Sequence, residues 1–201
     1  MTTEIIPAKN DHVISVHEIG HLIVGCLLGR HLEKATIDFH EGQRGCFWAH
    51  NSKDMDDHIE YMCLIAGPKS QVLFCPDSLP HDKIKVFNRR IIQPTPLPHQ
   101  IPEIYDLTGW QYDIRPVYKY LFYPSFPVDR SRSSQTHRQL IDHIETALTA
   151  FFCEAPVRAA VENIANELEK YRLLTGDAAM KLVRSTGLSQ NPTVMGHLIR
   201  P

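Results

Sequence analysis

Residues 11–29 read DHVISVHEIGHLIVGCLLG, and this stretch decides the fold. Apolar side chains recur around most of the circumference of a helix drawn on it, which predicts a buried helix. Asp11 is the predicted N-cap, and Gly29 is predicted to lie just past the C-terminus. Polar side chains are costly to bury without partners, so the two histidines and the glutamate of this helix require an explanation.

The three polar residues form the pattern HExxH, with His17, Glu18 and His21 at its fixed positions. Side chains four positions apart lie on one helix face, so both imidazoles can be directed at one point, as half of a tetrahedral zinc shell. Glu18 is placed to take a proton from a water whose pKa zinc lowers toward ~7. The pattern predicts a zinc metallopeptidase with Glu18 as general base. Two core histidines satisfied by their neighbours are the alternative.

A catalytic zinc site requires a third protein ligand and keeps one position open. The extended pattern HExxHxxGxxH would need glycine at 24 and histidine at 27, but the sequence has Val24 and Leu27 there. A third histidine on that extension is therefore excluded. Glu41 and Glu60 are candidate ligands from nearby segments.

The segments after this helix predict a small strand pair and a second helix. Residues 34–39 alternate in polarity, and residues 42–45 are predicted to turn the chain into a strand at 46–48. Helical spacing returns from 54 to about 74, either as two helices or as one helix kinked at Gly67-Pro68. Six prolines between 76 and 102 exclude a continuous helix or a central strand there.

The C-terminal third is predicted to be helical. A helix from Ser133 or Ser134 to Cys153 is followed by one with Pro156 in its first turn, and Thr175 can cap a short helix that ends before Gly187. The predicted fold class is mainly α (α+β). We expect a zincin-like helical domain with a small β-strand pair beside the HExxH helix.

Composition limits the classes of partner. The chain has 201 residues, 43% of them hydrophobic, so we expect one domain over residues 1–201 with a proline-rich insertion at about 76–107. A net charge of -2 gives no positive field to recruit nucleic acid.

The longest apolar stretch falls short of the ~20 residues that span a bilayer, so we expect no membrane insertion. Five cysteines without a C-x-x-C pair favour the cytoplasm. Homo-oligomer formation stays open.

Five stretches carry a resemblance to one family: HEIGHLIVGCLL at 17–28, EKATID at 33–38, LIAG at 64–67, TGWQYD at 108–113 and LTGD at 174–177. They resemble parts of the peptidase domain of FtsH-type proteases, which are ATP-dependent membrane proteases with HEAGH on a buried helix. That family's third zinc ligand is a distant aspartate in a TGASND segment, which TGWQYD matches at Thr, Gly and Asp. The resemblance therefore implies one Zn²⁺ per chain, with Asp113 as the third ligand.

The chain departs from the family in three places. PKSQ at 68–71 replaces the usual Arg-Ala-Ala-Glu run, and the proline-rich segment replaces a short connection. The P-loop pattern G-x-x-x-x-G-K-[ST] is not met, because Met62 stands where the upstream glycine is needed. We expect an ATP-independent peptidase that acts on peptides or unfolded protein segments.

Zinc peptidases commonly bind a peptide as an added strand on an exposed sheet edge near the metal. The strand at 34–39 is the predicted edge, with Thr36, Ile37 and Asp38 as substrate-binding residues. The alternative function is a catalytically silent zinc-binding adaptor or regulatory module of the same fold. A purely structural zinc site, closed by a fourth ligand such as a cysteine, is a further alternative.

Overall fold

The computed structural model describes residues 9–40, 43–49, 57–78 and 134–199. Within these ranges the fold is mainly helical with a small antiparallel sheet, as the sequence predicts. The elements share one hydrophobic core, and its centre is the helix that carries the HExxH pattern. None of the helices in the described ranges is both long enough and apolar enough to cross a membrane.

Helix α1 spans Lys9–Leu27. It begins before Asp11, so the N-cap prediction is wrong, and Asp11 lies in the first turn. The predicted end is confirmed. Gly29 has a φ of 82°, its N–H donates to the Cys26 carbonyl, and the N–H of Arg30 donates to the Gly25 carbonyl at 2.8 Å. This is the Schellman arrangement that a left-handed glycine allows.

Apolar side chains of α1 face the core on nearly all sides. The fully buried ones are Val16, Ile19, Leu22, Ile23 and Val24. The helix packs against the sheet and against three other helices, so its apolar circumference is covered all round. The HExxH pattern therefore lies in the interior of the molecule.

The sheet contains β1 (Leu32–His40), β2 (Gln43–Trp48) and a short third strand, β3 (Leu173–Thr175), in the order β2-β1-β3. The predicted strand pair is confirmed, although β2 already begins within the stretch predicted as a turn. Strand β3 was not predicted. It pairs antiparallel with β1 through Lys34 and Thr175, and through Thr36 and Leu173.

The position of β3 overturns one prediction. Strand β1 is the middle strand of the described sheet, because Thr36 is paired with Gly45 of β2 on one side and with Leu173 of β3 on the other. The backbone of β1 at Thr36 is therefore already paired with a strand on each side. The prediction that β1 is an exposed edge is wrong, and the outer strands of the described sheet are β2 and β3.

Helix α2 spans Asp57–Phe74 and continues through Pro68. Of the two alternatives for this segment, the single helix is correct. A short 3₁₀ turn at Pro76–Ser78 follows it. Residues 79–107, which form the rest of the predicted proline-rich insertion, lie outside the described residues.

The C-terminal helices follow the prediction closely. They are α3 (Ser134–Cys153), α4 (Ala155–Tyr171), α5 (Gly176–Ser185) and α6 (Pro192–Leu198). Proline lies in the first turn of α4, and the Thr175 hydroxyl accepts the Ala178 N–H at the start of α5. Gly187 has a φ of 71° just beyond the end of α5.

Arg172 lies between α4 and β3, and it connects the end of α4 to two other elements. It has a left-handed φ of 60°, and its carbonyl accepts the Ile37 N–H at 3.2 Å and the Thr36 hydroxyl at 3.0 Å. Its guanidinium donates to both carboxylate oxygens of Asp38 and, at 2.9 Å, to Asp11. The end of α4 is thereby tied to β1 and to the first turn of α1.

Candidate metal centre

His17 and His21 lie one turn apart on α1, as their spacing predicts. Each side chain is buried, with a relative exposure of 7%. Their rings meet edge to face at a centroid distance of 4.9 Å, and the two Nε2 atoms are 3.1 Å apart. The helix therefore brings one nitrogen of each ring to a common point.

The other nitrogen of each ring faces an acceptor on α2. His17 Nδ1 is 3.0 Å from the side-chain oxygen of Gln71, and His21 Nδ1 is 2.7 Å from the Cys63 carbonyl oxygen. An oxygen of either kind can only accept, so these contacts assign the proton of each neutral ring to Nδ1. The Nε2 atoms then present lone pairs, which is the form of histidine that binds a metal.

This geometry fits a zinc ion. Zinc–nitrogen bonds of about 2.0–2.1 Å at a tetrahedral angle hold two imidazole nitrogens ~3.3 Å apart. The observed separation of the Nε2 atoms is 3.1 Å. A cation between the two nitrogens would be attracted to the lone pair of each ring. The two imidazole donors and the distance between them are compatible with a zinc-ligand pair.

Glycines let α2 lie close to this pair. A methyl group on Gly67 would overlap the His21 imidazole, and one on Gly20 would overlap the Ser70 hydroxyl. Ser70 is fully buried and donates to the Val16 carbonyl at 2.9 Å, which fastens α2 to α1. The close approach brings the acceptors for both histidines within hydrogen-bond distance.

Glu18 lies on α1, beside β2. It is buried, with 8% of its side chain exposed. A Cβ at Gly45 would lie 3.2 Å from a carboxylate oxygen of Glu18, and the Cys46 thiol donates to the Glu18 carbonyl at 3.2 Å. The outer strand of the sheet thus runs directly beside the carboxylate.

The predicted third ligand, Asp113, lies outside the described residues, as does the alternative Glu41. Glu60 is described, on α2. Across residues 9–40, 43–49, 57–78 and 134–199, no three His, Cys, Asp or Glu side chains come together as a metal site. Glu60 is therefore not grouped with His17 and His21, and Asp113 stays a prediction.

The three residues predicted to bind substrate have structural contacts instead. The Thr36 side chain is 1% exposed and donates to the Arg172 carbonyl, and Ile37 is 3% exposed. The carboxylate of Asp38 is paired with the Arg172 guanidinium. They hold the C-terminal part of the chain to the sheet.

Sequence reasoning missed the residues that contact His17 and Glu18. Gln71 lies 54 positions from its partner His17, and Gly45 lies on a different element from Glu18. The available signal was the polar run Lys69-Ser70-Gln71, which follows the apolar stretch 61–67 of α2. In the sequence, that run stands out only as a departure from the family's pattern.

A comparison of the chain with protein-family models gives no match, and a comparison with curated proteins gives none either. The resemblance to FtsH-type peptidases therefore rests on the five short sequence stretches alone. The chemistry of the site rests on its own residues.

Proposed function

We propose that this chain is a zinc-dependent, ATP-independent peptidase that hydrolyses peptide bonds in peptides or unfolded protein segments. The observation that carries the proposal is the pair of Nε2 atoms 3.1 Å apart, with both Nδ1 atoms held by acceptors, on the helix that also carries Glu18. Two metal ligands must bring one ring nitrogen each to a common point, whereas two histidines that only fill a core need not do so.

His17 and His21 would hold the zinc ion, with Asp113 proposed as the third ligand from the resemblance to FtsH-type peptidases. Zinc, when bound, lowers the pKa of a water toward ~7 and polarises the carbonyl of a peptide bond. The imidazole rings are held by their Nδ1 contacts, so they need no reorganisation to bind the ion.

Glu18 is the proposed general base and acid. Its carboxylate takes a proton from the attacking water and passes it to the nitrogen of the leaving amine. The enclosure between α1 and β2 limits the space in which the side chain can move, which favours a fixed position for proton transfer. The buried position of Glu18 supports this role, since a structural carboxylate is rarely buried without a cationic partner, and none of the ion pairs among the described residues involves Glu18.

The substrate is proposed to bind as an extended strand along β2. This replaces the prediction for β1, whose backbone is paired on both sides. Strand β2 is an outer strand of the described sheet, and its Gly45 adjoins Glu18. Main-chain pairing requires an extended segment and reads little of its sequence, so flexible segments are the proposed substrates.

The test compares the wild type with Glu18→Gln for bound zinc and for cleavage of an unfolded protein. Glu18→Gln should keep its zinc and lose activity by about 10²–10⁴-fold, the contribution of a general acid–base group. Glu162→Gln, an exposed position on α4, makes the same chemical change away from the site and should cleave as the wild type does. If the wild type binds zinc but cleaves no substrate that the Glu18→Gln variant leaves intact, the silent zinc-binding module is the correct function.

Asp113→Ala tests the third ligand separately. Loss of a ligand should weaken zinc binding strongly, as measured by competition with a chelator. Undiminished affinity would remove Asp113 from the proposed set.

A further inference from the structure

The turn after α2 is attached to Gln71. Ser78 ends the 3₁₀ turn, and its hydroxyl donates to the Cys75 carbonyl at 2.6 Å. The side-chain nitrogen of Gln71 donates to the same hydroxyl oxygen at 3.3 Å. The backbone N–H of Cys75 in turn donates to the Gln71 carbonyl at 2.9 Å. One amide side chain thus bridges this turn and His17.

Each hydrogen bond in this series has a direction that agrees with the others. A backbone carbonyl can only accept, so the single proton of the Ser78 hydroxyl is used on Cys75. Toward Gln71 the hydroxyl can then only accept, which requires the amide NH₂ to face Ser78. The amide oxygen must therefore face His17, and it can only accept the Nδ1 proton.

A flipped amide would reverse the last step. It would direct an NH₂ group at His17 Nδ1, and the ring would have to present a lone pair there and carry its proton on Nε2. A protonated Nε2 cannot bind a metal ion. Size alone does not orient the Gln71 amide, because its two ends are nearly equal, and the hydrogen bond to the Ser78 hydroxyl favours one orientation.

The second histidine has a different support. His21 Nδ1 faces the Cys63 backbone carbonyl directly, at 2.7 Å. Its tautomer is therefore fixed by the backbone of α2. Of the two tautomers, that of His17 is the one that depends on side chains, which a substitution can change.

We propose that Ser78 and Gln71 are positioning residues that fix the His17 tautomer, with Ser78 setting the orientation of the Gln71 amide. The proposal rests on the proposed function for the role of His17 as a metal ligand. Through Gln71 and Ser78, His17 is connected to the 3₁₀ turn at Pro76–Ser78, where the proline-rich segment begins.

The test uses Ser78→Ala in the full-length chain, with two readouts. Zinc affinity, measured by competition with a chelator, should fall by about 10-fold, the lower end of the effect of removing an outer partner of a metal ligand. In metal-free protein with ¹⁵N-labelled histidine, NMR should show His17 protonated on Nδ1 in the wild type and partly on Nε2 in the variant. Ser78→Thr keeps the hydroxyl and should restore both readouts.

Ser185→Ala is the matched structural control. Ser185 makes the same kind of bond, from its hydroxyl to the Leu182 carbonyl at 2.7 Å, at the end of α5. It should leave zinc affinity and the His17 tautomer unchanged. The thermal unfolding of the metal-free variants then separates a loss of fold from a change of tautomer.

Gln71→Glu sharpens the test. A carboxylate offers an accepting oxygen to His17 Nδ1 in either orientation, so Ser78 no longer has anything to orient. Ser78→Ala should then change zinc affinity in the Gln71 background and leave it unchanged in the Gln71→Glu background. An equal effect in both backgrounds, or an unchanged His17 tautomer in Ser78→Ala, would overturn the proposal. If the wild type bound no zinc, the proposed function would fail, and the tautomer measurement would still decide the inference.

Discussion

Gly67 is the residue on which the close approach of α2 to His21 depends. A Cβ built at this position would overlap the His21 ring, including the nitrogen that faces His17. Gly67→Ala should therefore force the ring or the helix to move. Overpacking of this kind lowers the free energy of unfolding by about 1–3 kcal/mol, and the displaced Nε2 should bind zinc more weakly. Urea unfolding and competition with a chelator measure the two effects.

Gly196 provides the control for this substitution, because it is also a helical glycine, and a Cβ added there would meet no atom of the described residues within 4 Å. Gly196→Ala should leave zinc binding unchanged and can stabilise the protein by up to about 1 kcal/mol, since alanine has the higher helix propensity. Equal effects of the two substitutions would contradict the role given to Gly67.

The cysteines differ in reactivity for a physical reason. Burial raises the pKa of Cys26 to about 12 and that of Cys63 to about 11, so both thiols stay protonated at neutral pH. The thiolate is the reactive form, and Cys153 is exposed. An aromatic disulfide reagent at neutral pH should modify Cys153 first and reach Cys26 and Cys63 only after unfolding. Cys153→Ser should remove the fastest phase, and rapid labelling of Cys63 in the folded protein would be inconsistent with this packing.

At the scale of elements, local signals predicted the helices well. The glycine after α1, the proline in α4 and the Thr175 cap of α5 mark boundaries that the structure confirms. These signals act through the backbone within a few residues, so they can be seen in the sequence alone. Strand β3 has only three residues, and polar and apolar residues do not alternate in its sequence. It forms because Arg172 and the residues after it pair with β1, which is distant in the sequence.

The same difference between local signals and long-range contacts applies to the candidate metal centre. The spacing of His17 and His21 on one helix is local, so the meeting of their two imidazole rings was predictable. Their partners come from α2, and the neighbour of Glu18 comes from β2. Which of several polar residues meets a given ligand depends on tertiary packing, which no local pattern encodes. The prediction of the edge strand was wrong for the same reason.

The Arg172 junction links α1, β1 and α4, and it has a testable pH dependence. Hydrogen bonding to the Arg172 guanidinium lowers the pKa of Asp38 below its usual range. A depressed folded-state pKa stabilises the fold at pH values above the usual one, about 4, and this stabilisation is lost as the pH falls through the folded-state value. Asp38→Asn should therefore reduce stability near neutral pH, and the difference from the wild type should shrink below about pH 4.

The size of this effect is small, because Asp38 is half exposed and solvent screens the pair. We expect at most about 1 kcal/mol, measured by urea unfolding as a function of pH. Asp142→Asn, an exposed carboxylate on α3, is the control and should not show the same dependence. A difference between Asp38→Asn and the wild type that grew on acidification would show that the ion pair does not stabilise the fold.

For the whole molecule, the central place of α1 would couple the proposed metal binding to global stability. This helix packs on the sheet, on α2 and on α4, and its two histidines reach across to α2. An ion held by these histidines would bind the folded chain and have no equivalent site in the unfolded chain. Its binding free energy therefore adds to the stability of every element packed on α1.

Zinc at about 100 times its dissociation constant should add ~2.7 kcal/mol to the free energy of unfolding. For a chain of this size that corresponds to a rise in Tm of about 5–10 °C, which differential scanning calorimetry measures with and without a chelator. His21→Ala should abolish the shift, because it removes one of the two ligands that α1 provides. His197→Ala removes a histidine paired with Glu154 at 3.1 Å, far along the chain from α1, and should keep the shift in full. A zinc-induced rise that survived His21→Ala would place the ion elsewhere on the chain.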